Sequence, residues 1–315
     1  MRQQDLKQRE EFKETADKLS YAQSTDPWAK KVTIRSIERL TGKRRFTQAY
    51  MDLSTRLDDG TFWNHALGQL EIGLSYDREQ LAKIPAEGPV VFVANHPFGV
   101  LDGIAICNIA SLARDHFKIL IHRSLCREER IRSYLLPIDF SETKEATLIN
   151  IDTKKQAIAT LKDGGAVVIF PAGGISTSIG PFGPVTDLEW KTFVAKLVQG
   201  SKATVVPIYF PGQNSRLFQM ISQVSDTLRL ALIMHEVNKR KGDTMQAIIG
   251  DPIPYEQVAN IKRRGDLTEY LRRTVYADLG GNEFGANEFC VLPTERRAEE
   301  RAMRKLEKKD RASVY

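Results

Sequence analysis

The sequence predicts an α/β domain with a central, mostly parallel or mixed sheet flanked by helices, and an N-terminal helical subdomain in front of it. Five short apolar runs have the length and the β-branched composition of buried strands. Helix-length patterns separate most of these runs, which is typical of βαβ units. A chain of 315 residues is long enough to form one such domain and to bury a core.

The elements can be placed in chain order. The predicted strands are 90–94, 117–121, 166–170, 204–209 and 245–249. The predicted helices are 101–114, 125–135, 153–162, 187–199, 214–223 and 266–278. Asp152-Thr153 and Thr186-Asp187 are predicted N-caps, because their side chains can accept hydrogen bonds from the free amides of a first helical turn. Met220 and Met234 are assigned to the core.

The chain divides into three predicted regions. Residues 1–60 are predicted to form an N-terminal helical region, and two interpretations of its amphipathic helices and basic cluster stay open: a subdomain packed on the main sheet, or a surface that contacts a membrane. No linker or repeat interrupts residues 61–280, which are predicted to be one catalytic domain. Residues 281–315 are predicted to be a charged C-terminal tail.

Charge and cysteine content exclude several classes of protein. The formal net charge is +6, and residues 295–311 contribute three of these charges, with eight Lys/Arg against five Asp/Glu. A nucleic-acid partner is therefore not expected, whereas an anionic membrane surface is compatible with this balance. The three cysteines include no C-x-x-C pair, so neither a disulfide framework nor a metal site is predicted. The N-terminus lacks a secretory signal, and no apolar run approaches the ~18–20 residues of a membrane span.

The strongest candidate site is the turn that follows the first buried strand. The run Val90 to Ala94 leads directly into Asn95-His96, and Asp102 follows six positions after the histidine. Histidine can accept a proton from a hydroxyl group near neutral pH, and a carboxylate on its other ring nitrogen fixes the tautomer. Open α/β sheets bind ligands at this end of their strands. His96 and Asp102 are therefore predicted to be catalytic; the alternative is a histidine that is merely hydrogen-bonded in a turn.

This turn resembles the His-x-x-x-x-Asp box of the lysophospholipid (glycerolipid) acyltransferase superfamily, which includes 1-acylglycerol-3-phosphate acyltransferases. Five residues separate His96 from Asp102, where the common box has four. The form Asn-His-Pro-Phe-Gly-x-x-Asp-Gly is similar to a bacterial branch often labelled haemolysin-like. Acyltransferases of lyso-ornithine and related amino-acid lipids are one association of that branch. The resemblance implies that His96 is the general base, with Asp102 orienting it and Asn95 beside it at the substrate.

Three further blocks resemble the family in the same order. Arg123 ends the run Ile-Leu-Ile-His-Arg and resembles the arginine that contacts an acidic head group. The run ending in Phe-Pro-Ala-Gly-Gly is similar to the Phe-Pro-Glu-Gly block, but Ala172 stands in the glutamate position. The run 205–209 resembles the apolar Val-Pro strand block. The four blocks together span about residues 90–210.

The glycines after the third predicted strand have a physical interpretation of their own. Gly173 and Gly174 carry no side chains, so their backbone N–H groups can approach an anion or a developing oxyanion. Ser176 offers a hydroxyl donor shortly afterwards. All three residues are predicted to bind substrate; the alternative is an ordinary flexible loop in the Gly/Pro/Ser-rich connection 171–186.

The resemblance implies an O-acyltransferase that moves a fatty acyl group from acyl-CoA or an acyl carrier protein to the hydroxyl group of a lysolipid, in membrane lipid synthesis or remodelling. It implies no permanently bound cofactor. The acceptor stays open between lysophosphatidic acid and an amino-acid lysolipid. A lipid hydrolase in which His96 activates water and a non-catalytic membrane-binding protein are the alternatives. The expected location is cytoplasmic, peripheral on the cytoplasmic face of the inner membrane.

Overall fold

The computed structural model describes residues 62–123, 126, 131–141 and 143–291, together with six positions between 27 and 36. In this part of the chain a six-stranded sheet carries helices on both faces, which confirms the predicted fold class. Apart from those six positions, the predicted N-terminal helical region lies outside the described residues. Within the described residues, none of the helices is both long and apolar enough to cross a membrane.

The elements begin with a helix that precedes the sheet. The first half of the domain contains α1 (Phe62–Gln69), β1 (Gly73–Ser75), α2 (Arg78–Ala82), β2 (Val90–Ala94), α3 (Val100–Ala113), β3 (Phe117–His122), β4 (Leu135–Ile138), α4 (Lys144–Lys162) and β5 (Ala166–Ile169). The second half contains β6 (Thr177–Ser178), β7 (Val185–Thr186), α5 (Phe193–Ser201), β8 (Thr204–Tyr209), α6 (Arg216–Ser222), α7 (Asp226–Lys239), β9 (Thr244–Gln246), β10 (Ile248–Ile249), α8 (Tyr255–Val258), α9 (Arg264–Arg273) and α10 (Glu283–Asn287). A 3-10 turn (Arg132–Tyr134) precedes β4, and a π-helix (Thr274–Leu279) follows α9.

The main sheet has the strand order β10-β8-β2-β5-β3-β4. Five of its strands are parallel, and only the edge strand β10 is antiparallel. The carboxyl ends of β2, β3, β5 and β8 therefore meet at one edge of the sheet. This edge is where an open parallel sheet forms its binding crevice.

Strand β2 lies at the centre of the sheet and is buried on both faces. Val90 and Phe92 pack into the apolar core on the side of α3 and α7, whereas Val91 and Val93 pack into the core on the side of α4, α5 and α9. A strand covered on both faces needs apolar side chains at every position. This requirement explains the uninterrupted apolar run that the sequence shows there.

Several predicted elements have different boundaries in the structure. The predicted helix 125–135 is wrong at its described end, where the edge strand β4 begins at Leu135. Pro137 lacks a backbone N–H, and an edge strand tolerates this loss because one side of the strand has no hydrogen-bonded neighbour. The predicted strand 245–249 is two short strands, of which β9 pairs with β1 and β10 pairs with β8. Helix α4 begins nine residues earlier than predicted, since the Thr143 side chain accepts a hydrogen bond from the amide of Ala146.

The packed part of the domain continues beyond residue 280. The guanidinium of Arg272 donates hydrogen bonds to the carbonyl oxygens of Gly285 at 2.9 Å and Glu288 at 2.6 Å. The amide of Cys290 donates to the carbonyl of Asp187 at 3.0 Å. Buried hydrogen bonds of this kind hold α10 and the residues after it against the sheet domain, so the segment predicted as a charged tail starts with packed structure.

The central position of β2 generates a stability prediction. Phe92→Ala should lower the free energy of unfolding by about 3–5 kcal/mol, because Phe92 is fully buried and its removal leaves a cavity. The matched control is Phe182→Ala, whose ring is 77% exposed and which should change stability by no more than about 0.5 kcal/mol. Urea unfolding followed by circular dichroism measures both. Similar losses in the two variants would contradict the packing described for β2.

Candidate active site

The end of β2 is fixed to the end of β8 by a buried amide side chain. Asn95 Nδ2 donates to the carbonyl oxygen of Phe210 at 2.9 Å, and Asn95 Oδ1 accepts from the amide of Phe210 at 2.7 Å. Asn95 is 3% exposed, and both of its amide atoms are used inside the protein. Asn95 therefore positions the His96 turn, and its predicted contact with substrate stays a prediction.

His96 and Asp102 lie within hydrogen-bond distance at the carboxyl edge of the sheet. His96 Nδ1 is 3.0 Å from Asp102 Oδ2. The Asp102 carboxylate also accepts from the amide of Phe98 at 3.0 and 2.9 Å and from the amide of Gly99 at 3.1 Å. Asp102 is fully buried in the first turn of α3, where helix amides and the helix dipole stabilise a negative charge.

A glycine with a positive φ angle lies among the five residues between the pair. Gly99 precedes α3 with φ of 79°, a backbone conformation that favours glycine. A Cβ atom at this position would lie 2.6 Å from Cδ1 of Ile175. The turn thus needs glycine both for its backbone angle and for its approach to the loop after β5.

The imidazole ring of His96 is held on one side and free on the other. Its ring stacks on Phe170, at the end of β5, with ring centroids 4.0 Å apart and planes inclined by 25°. A carboxylate at Nδ1 favours the tautomer with the proton on Nδ1, which leaves the lone pair on Nε2. Among the described residues, none forms a hydrogen bond with Nε2, and the side chain is 17% exposed. Nε2 is therefore the atom that can accept a proton from a bound hydroxyl group.

A second buried carboxylate, Asp187, holds the backbone of the histidine turn. Its oxygens accept hydrogen bonds from the amide of His96 at 3.1 Å, the hydroxyl of Ser176 and the indole N–H of Trp190 at 2.9 Å. The amide of Ser176 donates in turn to the carbonyl of His96 at 2.8 Å. The hydroxyl proton of Ser176 is thus already used by Asp187, and its predicted contact with substrate stays a prediction.

Sequence reasoning missed Asp187 because it treated Thr186-Asp187 as a helix N-cap. Helix α5 begins at Phe193, and the carboxylate of Asp187 faces the histidine turn instead. The amide of Asp187 donates to the phenol oxygen of Tyr276 at 3.0 Å. Burial, together with the nearby Asp187 charge, raises the pKa of Tyr276 well above its ordinary value. The available signal was an acidic residue directly after a long Gly/Pro/Ser-rich connection.

The two predicted glycines differ in what their amides can do. Gly173 adopts φ of 68°, and its amide donates to the carbonyl of Phe170 at 3.0 Å. The amide of Gly174 has no acceptor among the described residues, and this glycine is half-buried. Of the pair, Gly174 is thus the one whose N–H is free to approach an anion.

Arg123 lies at the same edge of the sheet, at the end of β3, but its charge is already paired. Its guanidinium binds Asp139 Oδ2 at 3.1 Å and Glu145 Oε1 at 3.0 Å. A backbone hydrogen bond from Ser141, together with Arg123, holds the pKa of Asp139 below its ordinary value. The partners of Arg123 belong to the β4–α4 connection rather than to the His96 turn, so its predicted contact with an acidic head group remains a prediction.

The described residues offer no obvious competing chemistry. In this part of the chain, no three His, Cys, Asp or Glu side chains come together as metal ligands. Burial raises the pKa of Cys107 well above its ordinary value and raises the pKa of Cys126 to about 11. Thiols with such pKa values carry little thiolate at neutral pH and make poor nucleophiles. The imidazole of His96 is therefore the candidate reactive group at this edge.

Comparison with known proteins finds related sequences over the same region. Residues 59–278 match a family described as Acyltransferase. A lyso-glycine lipid O-acyltransferase of Bacteroides thetaiotaomicron is 30% identical over 204 residues, which cover 62% of this chain and 72% of that protein. A protein of the same name from Phocaeicola vulgatus is 28% identical over 204 residues, covering 62% and 70%. The crystal structure of the 1-acyl-sn-glycerophosphate acyltransferase PlsC from Thermotoga maritima matches with a TM-score of 0.46 and 14% identity, over 79% of this chain and 86% of that one.

The three hydrogen bonds of Asp187 generate a testable prediction. Asp187→Asn should destabilise the protein by about 1–3 kcal/mol, because an amide has one acceptor oxygen and its NH₂ group would face buried donors. Ser176→Ala removes only one of the three donors and should cost about 1 kcal/mol. Urea unfolding of both variants checks the difference. A Ser176→Ala variant that loses as much as Asp187→Asn would contradict the central position given to Asp187.

Proposed function

The chain belongs to the acyltransferase family whose model matches residues 59–278, and from this membership we propose an O-acyltransferase that transfers a fatty acyl group from an acyl thioester to the hydroxyl group of a lysolipid. One observation carries the chemical part of the proposal. His96 presents a free Nε2 at the carboxyl edge of the sheet, while a buried carboxylate holds Nδ1. This arrangement suits a general base acting on a bound hydroxyl group.

The reaction follows from that geometry in two stages. His96 Nε2 accepts the proton of the lysolipid hydroxyl as its oxygen attacks the thioester carbonyl carbon. The carbonyl π electrons move to oxygen, and we assign the stabilisation of the resulting oxyanion to a backbone donor, with the amide of Gly174 as the candidate. When the carbonyl reforms, the C–S bond breaks, and the imidazolium returns its proton to the leaving thiolate. The products are the O-acylated lipid and a free thiol.

Asp102 has an electrostatic role in this scheme. The imidazole becomes positively charged during the reaction, and a carboxylate 3.0 Å from Nδ1 stabilises that charge. Asp102 is fully buried and accepts from two backbone amides, so its carboxylate is oriented towards the imidazole before the substrate binds. The imidazole therefore needs no reorientation at the moment of reaction.

The relatives favour an amino-acid lysolipid as the acceptor. Both curated relatives are named lyso-glycine lipid O-acyltransferases, and the chain covers 72% and 70% of their lengths. We therefore place a lysolipid with an amino-acid head group ahead of lysophosphatidic acid. The proposed donors are acyl-CoA or an acyl carrier protein thioester, and the proposed setting is membrane lipid synthesis or remodelling. Both donors are cytoplasmic, so we place the protein on the cytoplasmic face of the membrane.

The catalytic pair can be tested by substitution. His96→Ala should lower the transfer rate by about 10²–10⁴-fold, because it removes the general base, and Asp102→Asn should cause a smaller loss in the same direction. The assay follows a radiolabelled acyl group from acyl-CoA, and separately from acyl carrier protein, into lyso-glycine lipid. His116→Ala is the matched control, since His116 is exposed and precedes β3 at the opposite edge of the sheet. A folded His96→Ala protein with wild-type activity would overturn the mechanism.

The acceptor can be tested separately with the wild-type chain. We expect kcat/KM to be at least about tenfold higher for lyso-glycine lipid than for lysophosphatidic acid, a difference of about 1.4 kcal/mol in the transition state. Mass spectrometry of the product identifies the acylated species. A preference for lysophosphatidic acid would contradict the acceptor assignment, and rapid release of free fatty acid without any acceptor would indicate a hydrolase instead.

A further inference from the structure

An exposed apolar surface adjoins the His96 turn. We call it the hairpin face and define it by five exposed side chains. Ile179 and Phe182 belong to the β6–β7 hairpin, Leu217 and Met220 belong to helix α6, and Val224 lies two residues beyond that helix. Their exposed fractions range from 38% at Ile179 to 77% at Phe182. Contiguous exposed apolar side chains on a folded domain mark a surface that contacts something else.

Helix α6 is turned so that its polar side chains face inwards. Gln219 and Ser222 are fully buried, and Gln219 Oε1 accepts from the amide of Ser178 at 2.9 Å. Gln223 Nε2 donates to the carbonyl of Ser178 at 2.8 Å, and Arg216 Nη1 donates to the carbonyl of Gly183 at 3.1 Å. These bonds attach the helix to the hairpin by its polar side.

Two apolar side chains of α6, Leu217 and Met220, point outwards, and their spacing of three residues places them on one side of the helix. Val224 lies two residues beyond the end of the helix. All three are exposed, which shows that the assignment of Met220 to the core was wrong, whereas Met234 is buried as predicted. The same helix also packs on the core, because Phe218 is fully buried there.

The hairpin face is tied directly to the reactive histidine. The amide of Ser176, just before β6, donates to the carbonyl of His96 at 2.8 Å. Asp187, just after β7, accepts from the amide of His96 at 3.1 Å. The two ends of the hairpin thus form hydrogen bonds with the backbone carbonyl and the backbone amide of His96. The tip at Phe182 lies five residues before Asp187, so its backbone is within about 17 Å of that end of the hairpin at ~3.3 Å per extended residue.

The charge of this region narrows the choice of partner. Residues 171–186 contain no charged side chain, and residues 210–225 contain only Arg216, in a chain that is 27% charged overall. An apolar surface with one cation and no carboxylate suits the headgroup region of a bilayer that contains anionic lipid. A negatively charged carrier protein would be recognised by a cluster of basic residues, which these two segments lack.

We propose that the hairpin face inserts into the surface of a lipid bilayer and holds the His96 turn at the depth of the lysolipid hydroxyl groups. The assignment rests on the proposed function for the identity of the acceptor, which is an amphiphile dissolved in the bilayer. Insertion of Phe182 and the outer side of α6 brings the His96 turn towards the membrane surface. The acceptor then reaches the base without leaving the lipid phase.

Insertion can be measured directly with tryptophan. Phe182→Trp in the full chain should show fluorescence quenching by vesicles of brominated phosphatidylcholine and phosphatidylglycerol, in excess of the quenching of the wild-type tryptophans. Leu112→Trp is the matched control, because Leu112 is 54% exposed and lies at the far end of α3, about 20 Å from the site at 1.5 Å per residue. Equal quenching of the two variants would overturn the proposal, whatever other part of the chain binds the vesicles.

A matched pair of substitutions tests the consequence for catalysis. Leu217→Ser should weaken binding to phosphatidylglycerol vesicles by about tenfold, the effect of withdrawing one leucine side chain from an apolar environment, whereas Leu112→Ser should not. The exposed fractions of the two leucines are 50% and 54%. Leu217→Ser should also lose transfer to vesicle-embedded lysolipid while keeping transfer to a short-chain lysolipid below its micelle concentration.

The outcomes separate this proposal from the proposed function. Wild-type protein that fails to acylate either form of acceptor would refute the proposed function and leave the tryptophan measurement to decide on insertion. If Leu217→Ser binds vesicles like the wild type but loses affinity for acyl carrier protein, the hairpin face is a docking site for the carrier and the bilayer assignment is overturned.

Discussion

Asp102 lies in the first turn of α3 with no exposure to solvent, and it accepts hydrogen bonds from the amides of Phe98 and Gly99 while one oxygen faces His96 Nδ1. A buried carboxylate is stable only when donors surround it. Here the donors come from the same turn that carries the histidine. The conformation of the turn, the start of the helix and the direction of the imidazole are therefore a single arrangement, and none of the three can change alone.

The two carboxylates of the site divide the task of holding His96. Asp102 fixes the ring through Nδ1, and Asp187 fixes the backbone through the amide of His96. Phe170 limits the remaining freedom by stacking on the ring. The first carboxylate is six residues away in the chain, whereas the second is 91 residues away and belongs to the hairpin between β5 and α5. The site consequently forms only when the sheet has brought β2, β5 and the hairpin together.

This division also explains which parts of the site could be predicted from the sequence. Strand β2 and the His96–Asp102 pair depend on local features, namely an apolar run, a turn and a helix start, and these were placed correctly along the chain. Asp187 was missed, because its partners His96 and Ser176 come close only in the folded domain and its local pattern is also that of an N-cap. Met220 was wrongly assigned to the core for a related reason. An apolar residue in a helix usually packs in the core, and only the folded domain shows that the side of the helix carrying Met220 faces solvent. The edge strand β4 was hidden because a short run ending in Leu-Leu-Pro-Ile is equally compatible with the end of a helix.

Gly99 shows why counting residues between a histidine and an aspartate is a poor measure of how far apart they are. With φ of 79° and room for no Cβ atom beside Ile175, this glycine folds the extra residue into the turn and still delivers a 3.0 Å contact between His96 and Asp102. A search pattern with a fixed four-residue gap would pass over this chain, although the contact it is meant to find is present. A pattern that allowed a fifth residue only together with a glycine before the helix would retain such chains without admitting arbitrary spacings.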